Sequence, residues 1–252
     1  MAELLSPRRP GAPDASCRDR PRAVWTDFGG VLTPPLAVLF DGFERRTGLS
    51  RPVLEAAIHR VATELGMAPL APIELATLTE REWGARLATA LRGHDADVRL
   101  DRVELTDFGR YWFREVSANA DLLAFLGRLK QRGYLVGLLT NNVVEWEPYW
   151  TAMLPMELFD AVVDSCRVGV RKPDPEIYEL AAARLGLTGA ECLLLDDLTE
   201  NCVAAEEGGW RAVRFRDNEQ AMAEVCAILD VPVPPVARPD RPITREASEN
   251  VY

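Results

Sequence analysis

Three short apolar runs end abruptly in polar residues, and this constrains the chain more than any other feature. Ala23-Val24-Trp25 leads to Asp27 in "AVWTDFGGVLTPP", "YLVGLLT" ends at Thr140 with Asn141 and Asn142 next, and "ECLLL" ends at Asp196 and Asp197. Runs this short and this apolar are strands buried on both faces, which requires a parallel sheet covered by helices. The segments between them supply such helices. "ADLLAFLGRLKQRG" places Leu122, Leu126 and Leu129 on one helical face, with Gly133 set to end it. "DPEIYELAAARLG" starts behind Pro173 and Asp174, "ENCVAAEEGG" closes on glycines, and "WRAVRF" reads as a further strand.

The segment from Leu36 to Ser117 breaks this alternation. "LAVLFDGFERRTG", "RPVLEAAIHRVATELG", "TEREWGARLATALRG" and "RVELTDFGRYWFREV" all read as helices with no convincing strand. The expected organisation is therefore a Rossmann-like α/β core over 22–35 and 116–230, with a helical cap inserted over 36–115. Residues 1–21 read as a flexible leader and 231–252 as a Pro-rich tail.

Bulk composition narrows the function. With 48% hydrophobic and 27% charged residues, the 252-residue chain is expected to pack as a globular protein. Its net charge of -10 gives no overall attraction to nucleic acid or an acidic membrane. The N-terminal stretch lacks an apolar run suited to export, and no run approaches a membrane span. The five cysteines form no C-x-x-C pair, so reduced thiols in a cytoplasmic protein are expected, with Cys192 and Cys226 buried.

Ligands of open parallel sheets bind outside the carboxyl ends of the strands. Acids and amides from three strand ends would meet there, together with Lys172 from the loop "GVRKPDPEIY". Converging carboxylates repel unless a cation joins them, and oxygen donors without His or Cys suit Mg²⁺. A carboxylate nucleophile, a metal, a lysine and a hydroxyl make a phosphoryl-transfer site. Each residue alone has a plainer role: Asp27 as a turn residue, Thr140-Asn141-Asn142 as a loop, Lys172 as a surface charge, Asp196-Asp197 as a helix cap.

The four segments "WTDFGGVLT", "LLTNN", "VRKPDPEIY" and "LLLDDLTENC", in this order, resemble the four motifs of the haloacid dehalogenase superfamily, in its phosphatase-like branch with a helical cap. The resemblance spans Arg22 to Leu229. It implies that Asp27 attacks phosphorus and forms an aspartyl phosphate that water then cleaves. Asp27, the carbonyl of Gly29, Asp196 and Asp197 would bind Mg²⁺. Thr140 and Asn141 would hold the phosphate, and Lys172 would neutralise it. The substrate would be a small phosphorylated metabolite. A homodimer is compatible with the cap, whose pattern does not decide it.

One departure stands out. Phosphatases of this superfamily usually carry a second Asp two residues after the nucleophile, where it moves protons; here that residue is Gly29. A water, a substrate group or a cap residue would have to replace it, or the protein is a poor catalyst that binds phospholigands instead. The acidic pair favours phosphatase over dehalogenase chemistry. "DFGGVL" also resembles the phosphatase-like half of bifunctional epoxide hydrolases, whose epoxide chemistry resides in a separate domain.

Other residues carry less. His59 and His94 read as structural, and Trp83 and Trp112 as packing within the cap. Trp146 and Trp150 read as core residues sharing a helical face, with contact to the cap as the sharper alternative. Glu200 and Asn201 either support the metal-binding acids from behind or merely start a helix.

Overall fold

A computed structural model of the chain describes residues 20–94 and 98–233. The leader, nearly all of the Pro-rich tail, Cys17 and the side chain of His94 lie outside the described residues. The sheet has five parallel strands: β1 (Ala23–Thr26), β2 (Leu135–Thr140), β3 (Ala161–Asp164), β4 (Cys192–Asp196) and β5 (Arg211–Arg214). Their order is β3-β2-β1-β4-β5. After β1 the chain builds outward through β2 and β3, then crosses back to lay β4 on the other side of β1. The order thus reverses at β1, and the crevice at this switch point is where such sheets take ligands.

Strand alternation assigns the two faces. Val24, Leu193 and Leu195 join one apolar cluster, while Ala23, Trp25, Cys192 and Leu194 join another on the opposite face. Trp25 needs room that its neighbour must supply. It pairs with Gly137 on β2, where any β-carbon would overlap the indole ring. A glycine inside a strand otherwise weakens it, so the approach of Trp25 explains this one.

Strand β3 escapes the sequence reading. It is only four residues long, AVVD, sits at a sheet edge and is half-buried over its first two positions. A run that short carries too little periodicity to separate it from a loop.

Helices α1 (Leu36–Thr47), α2 (Arg51–Glu64), α3 (Ala71–Glu74), α4 (Glu80–His94) and α5 (Phe108–Trp112) fall between β1 and β2. They form the expected insertion and have an apolar core of their own, built on Phe43, Leu54, Val61, Trp83 and Leu87. Phe43 stacks on Phe108 with ring centroids 4.7 Å apart. The last stretch is less helical than its composition suggests. "RVELTDFGRYWFREV" yields one 3₁₀ turn at Leu105–Asp107 and the five-residue α5. The amide of Gly109 bonds to Glu80, and Glu115 takes a φ of 65°, so the chain turns away before a long helix can form.

The remaining helices flank the sheet: α6 (Ala120–Gln131), α7 (Glu147–Thr151), α8 (Ser165–Val168), α9 (Pro175–Arg184), α10 (Thr199–Glu207) and α11 (Asn218–Leu229). No helix among the described residues is long and apolar enough to cross a membrane. Cys192 and Cys226 are buried, and the four described cysteines are unpaired.

Trp146 and Trp150 part company. Trp150 is buried in the sheet core, as a packing residue should be. Trp146 instead lies in a 3₁₀ turn, donates from Nε1 to Glu80 of the insertion at 2.6 Å, and stacks on Phe108. Here the contact with the insertion is the one that forms. His59 is exposed on α2.

Candidate active site

The site begins with strand register. Thr26 of β1 pairs with Leu195 of β4, and the amide of Asp27 continues the ladder by donating to the Leu195 carbonyl at 2.9 Å. The next residue on each strand is an aspartate, so Asp27 and Asp196 emerge side by side. Lys172 closes the pair. Its Nζ donates to Asp27 Oδ1 at 2.7 Å and to Asp196 Oδ2 at 2.5 Å. The lysine is 2% exposed, Asp27 8% and Asp196 fully buried.

Each member is held from behind. Asp196 Oδ1 accepts from the Leu198 amide and from Asn201 Nδ2, both at 2.9 Å. Asn201 thus supports the acids from the start of α10, the more specific of its two expected roles. Asn141, just past β2, donates from Nδ2 to the Lys172 carbonyl at 2.9 Å and accepts the Lys172 amide at 2.8 Å. This two-point clasp fixes the lysine loop against the end of β2.

Burial and charge pull these groups in opposite directions. Burial pushes Asp27 up to about 7, opposed by Lys172 and reinforced by Asp196. Asp197, half-buried, is pushed up to about 6 by burial and by Asp196. Burial disfavours the charged form of Lys172, but Asp196 and Asp27 more than reverse this and hold it protonated. Asp27, Asp196 and Asp197 each offer an oxygen, and these oxygens lie within 4.8 Å of one another. Three carboxylates facing one ammonium leave surplus negative charge in a dry place. An all-oxygen donor set of that sign fits a hard divalent cation such as Mg²⁺.

Gly30 makes this approach geometrically possible. It sits at φ 80°, and a β-carbon there would lie 2.8 Å from Asp197 Cγ. Gly29, by contrast, has nothing within 4 Å of an added β-carbon. Gly30→Ala should therefore destabilise the protein by roughly 1–2 kcal/mol from backbone strain alone, which is about 2–8 °C in Tm for a chain of this size. Gly29→Ala should stay within about 2 °C of the parent. Parallel thermal melts compare the two, and equal losses would refute the close packing of Asp197 on Gly30.

A cavity of about 220 Å³ opens over these groups. Asp27, Gly29, Asn141, Lys172 and Asp197 wall it, whereas Asp196 and Thr140 do not. Thr140 is buried at the end of β2, paired in register with Asp164 of β3. The opposite wall comes from the insertion and includes Leu39, Phe40, Trp83 and Trp112. The two tryptophans pack the insertion core and face the cavity as well.

Sequence reasoning misses the residues that join the two layers. Glu74 on α3 pairs with Arg171 at 2.7 Å, and its carbonyl accepts from Ser165 Oγ at 2.7 Å. Ser165 in turn accepts the amide of Asn142 at 3.1 Å. Burial raises Glu74 above the usual carboxylate range against the pull of Arg171. Arg171 could have been noticed as the neighbour of Lys172. Glu74 lies in a four-residue helix and has no such signal.

Comparison with known proteins bears on the family and the fold. A family profile described as haloacid dehalogenase-like hydrolase matches residues 21–209. The chain is 27% identical to the bifunctional epoxide hydrolase 2 of Sus scrofa, over 83% of this chain and 39% of that protein. It is 35% identical to a phosphatase of Mycobacterium tuberculosis, over 34% of this chain and 41% of that protein. It spans 40% or less of the length of the first curated relatives it matches. Among solved structures, a HAD family enzyme from Bacteroides thetaiotaomicron in complex with magnesium and inorganic phosphate has a TM-score of 0.54 at 19% identity, covering 78% of this chain and 94% of that one.

Proposed function

Because the chain belongs to the haloacid dehalogenase-like hydrolases, we propose that it is a Mg²⁺-dependent phosphatase that releases phosphate from a small phosphorylated metabolite through an aspartyl phosphate on Asp27. The observation that carries this proposal is the convergence of Asp27, Asp196 and Asp197 around the Lys172 ammonium at the sheet's switch point. The phosphatase relative from Mycobacterium tuberculosis supports it. The epoxide hydrolase relative is more than twice the length of the matched region, so its named chemistry is not carried over.

Asp27, Asp196, Asp197 and the Gly29 carbonyl would hold the metal, which when bound would neutralise charge on the transferring phosphoryl group. Lys172 fixes Asp27 Oδ1, and the other carboxylate oxygen attacks phosphorus. An O–P bond to Asp27 forms as the ester O–P bond breaks, and the leaving alkoxide takes its proton from water in the cavity. Water then attacks phosphorus, phosphate departs and the Asp27 carboxylate is restored. Asn141 would act on the phosphate indirectly, by clasping the Lys172 backbone, and Thr140 would anchor the end of β2 behind the cavity wall. The insertion would shield the intermediate from bulk water.

Gly29 supports a second reading, a phospholigand-binding protein of low turnover, because no carboxyl stands where a leaving-group acid is expected. Leaving-group dependence separates the two. p-Nitrophenyl phosphate, whose leaving group hardly needs a proton, should be hydrolysed with Mg²⁺. Alkyl phosphates should react slower by about 10²–10⁴-fold if no other group supplies the proton. Phosphate release from both ester types decides the matter. Inertness toward both would leave the binding reading, and equal rates would show that another group donates.

A further inference from the structure

A phosphate site needs donors that reach phosphate oxygens, and the side chains of Thr140 and Asn141 do not supply them. Thr140 is buried behind the cavity wall. Asn141 uses both ends of its amide on the Lys172 backbone. Elsewhere on the wall, Arg171 Nε, Glu74 Oε2 and Trp83 Nε1 lack hydrogen-bond partners, but these atoms are sealed inside the protein. Glu74 and Arg171 also face each other at 2.7 Å. The next residue along the loop, Asn142, is different.

Asn142 lines the cavity and is 4% exposed. Its polar atoms can be followed one by one. The backbone amide donates to Ser165 Oγ at 3.1 Å. Oδ1 accepts the Val143 amide at 2.9 Å. A backbone N–H can be met only by an acceptor, so the oxygen end of the side chain faces Val143 and the NH₂ end faces away from it. Nδ2 has no partner among the described residues, and it is not one of the sealed atoms. It is a free amide donor on a residue that walls the cavity.

The loop that carries it is held from two sides. Ser165, which accepts the Asn142 amide, donates its own proton to the Glu74 carbonyl of the insertion at 2.7 Å. Asn141, one residue earlier, clasps the backbone of Lys172, whose ammonium bridges Asp27 and Asp196. Asn142 therefore stands where the loop after β2 passes between the charged floor and the insertion. An amide there can give hydrogen bonds to an anionic oxygen without bringing a further buried charge.

We propose that Asn142 is a phosphate-binding residue, with Nδ2 donating to a non-bridging oxygen of the phosphoryl group. The role expected of Thr140 and Asn141 falls to their neighbour. The proposal rests on the phosphatase reading of the floor.

The test titrates inorganic phosphate calorimetrically into the full chain with saturating Mg²⁺, for the parent, Asn142→Ala and Asn142→Asp. Turnover of p-nitrophenyl phosphate and an alkyl phosphate is measured separately, at alkaline pH where a carboxyl at this position is ionised. Asn142→Ala should weaken phosphate binding by about 10–100-fold and lower kcat/KM for both esters by a similar factor. It also removes the acceptor for the Val143 amide, so it can loosen the loop. Asn142→Asp keeps that acceptor and nearly the same volume, and should melt like the parent. As a phosphate ligand it should be no better than the alanine variant, because a carboxylate repels the phosphate that the amide attracts. A purely structural Asn142 predicts the reverse order, with the aspartate variant close to the parent, and that result would overturn the proposal. Losses confined to the alkyl ester, with phosphate bound as in the parent, would place Nδ2 on the leaving group and overturn it too. Weakened phosphate binding in both variants of a parent without turnover keeps Asn142 and overturns the phosphatase. Turnover and phosphate binding that neither substitution changes keep the phosphatase and overturn Asn142. A parent that neither binds phosphate nor cleaves either ester sinks the two together.

Discussion

Asp27→Asn should lose at least about 10³-fold in phosphate release with little change in stability. The loss follows from what the substitution removes. The amide has nearly the shape of the carboxylate but cannot attack phosphorus; its Oδ1 can still accept from Lys172, while the metal-binding set loses one charge. The small effect on stability follows from the charges. Asp27 is buried, and burial pushes it up to about 7, so its ionised form is held at a cost that the neutral amide does not bear. Lys172 would keep Asp196 as a partner at 2.5 Å, so no buried charge is orphaned. The melting temperature should therefore stay within about 4 °C of the parent. Phosphate assays and melts on the same preparation check both halves. Turnover near the parent level would show that water attacks the substrate directly and that Asp27 serves another role.

Much of this site was legible because strand register converts sequence spacing into position. Once Ala23-Val24-Trp25 and "ECLLL" are taken as neighbouring buried strands, their terminal aspartates must meet at one edge. The roles of the polar loops were less accessible. Asn141 was expected to hold a phosphate, yet its amide is engaged with the Lys172 backbone; nothing in "LLTNN" reveals that the lysine loop returns to that spot. Thr140 is at the expected strand end but behind the cavity wall. Strand β3 was too short to read, and α5 looked longer than the Glu115 turn permits. The ion pair of Glu74 with Arg171 depends on how the insertion folds back over the sheet. That contact spans nearly a hundred residues of chain, and no local pattern encodes it.

Gly29→Asp should raise kcat/KM for alkyl phosphates by about 10²–10⁴-fold while changing p-nitrophenyl phosphate hydrolysis less than about tenfold. The structure makes the graft feasible. Gly29 walls the cavity beside Asp27, and an added β-carbon meets nothing within 4 Å. It needs no left-handed backbone, unlike Gly30 at φ 80°. A carboxyl there would reach toward the oxygen that leaves from phosphorus. The nearby Asp197 carboxylate would favour the protonated form that an acid catalyst requires. Selectivity between the esters is the decisive readout, because a better-folded or better metallated protein would improve both equally. A fall in both rates would mean that a fourth carboxylate overloads an already acidic floor. No gain over a parent that cleaves alkyl esters well would mean that a proton donor is already in place. Among the described cavity walls, Glu74 would then be the carboxyl to replace next, since burial already holds it above the usual range.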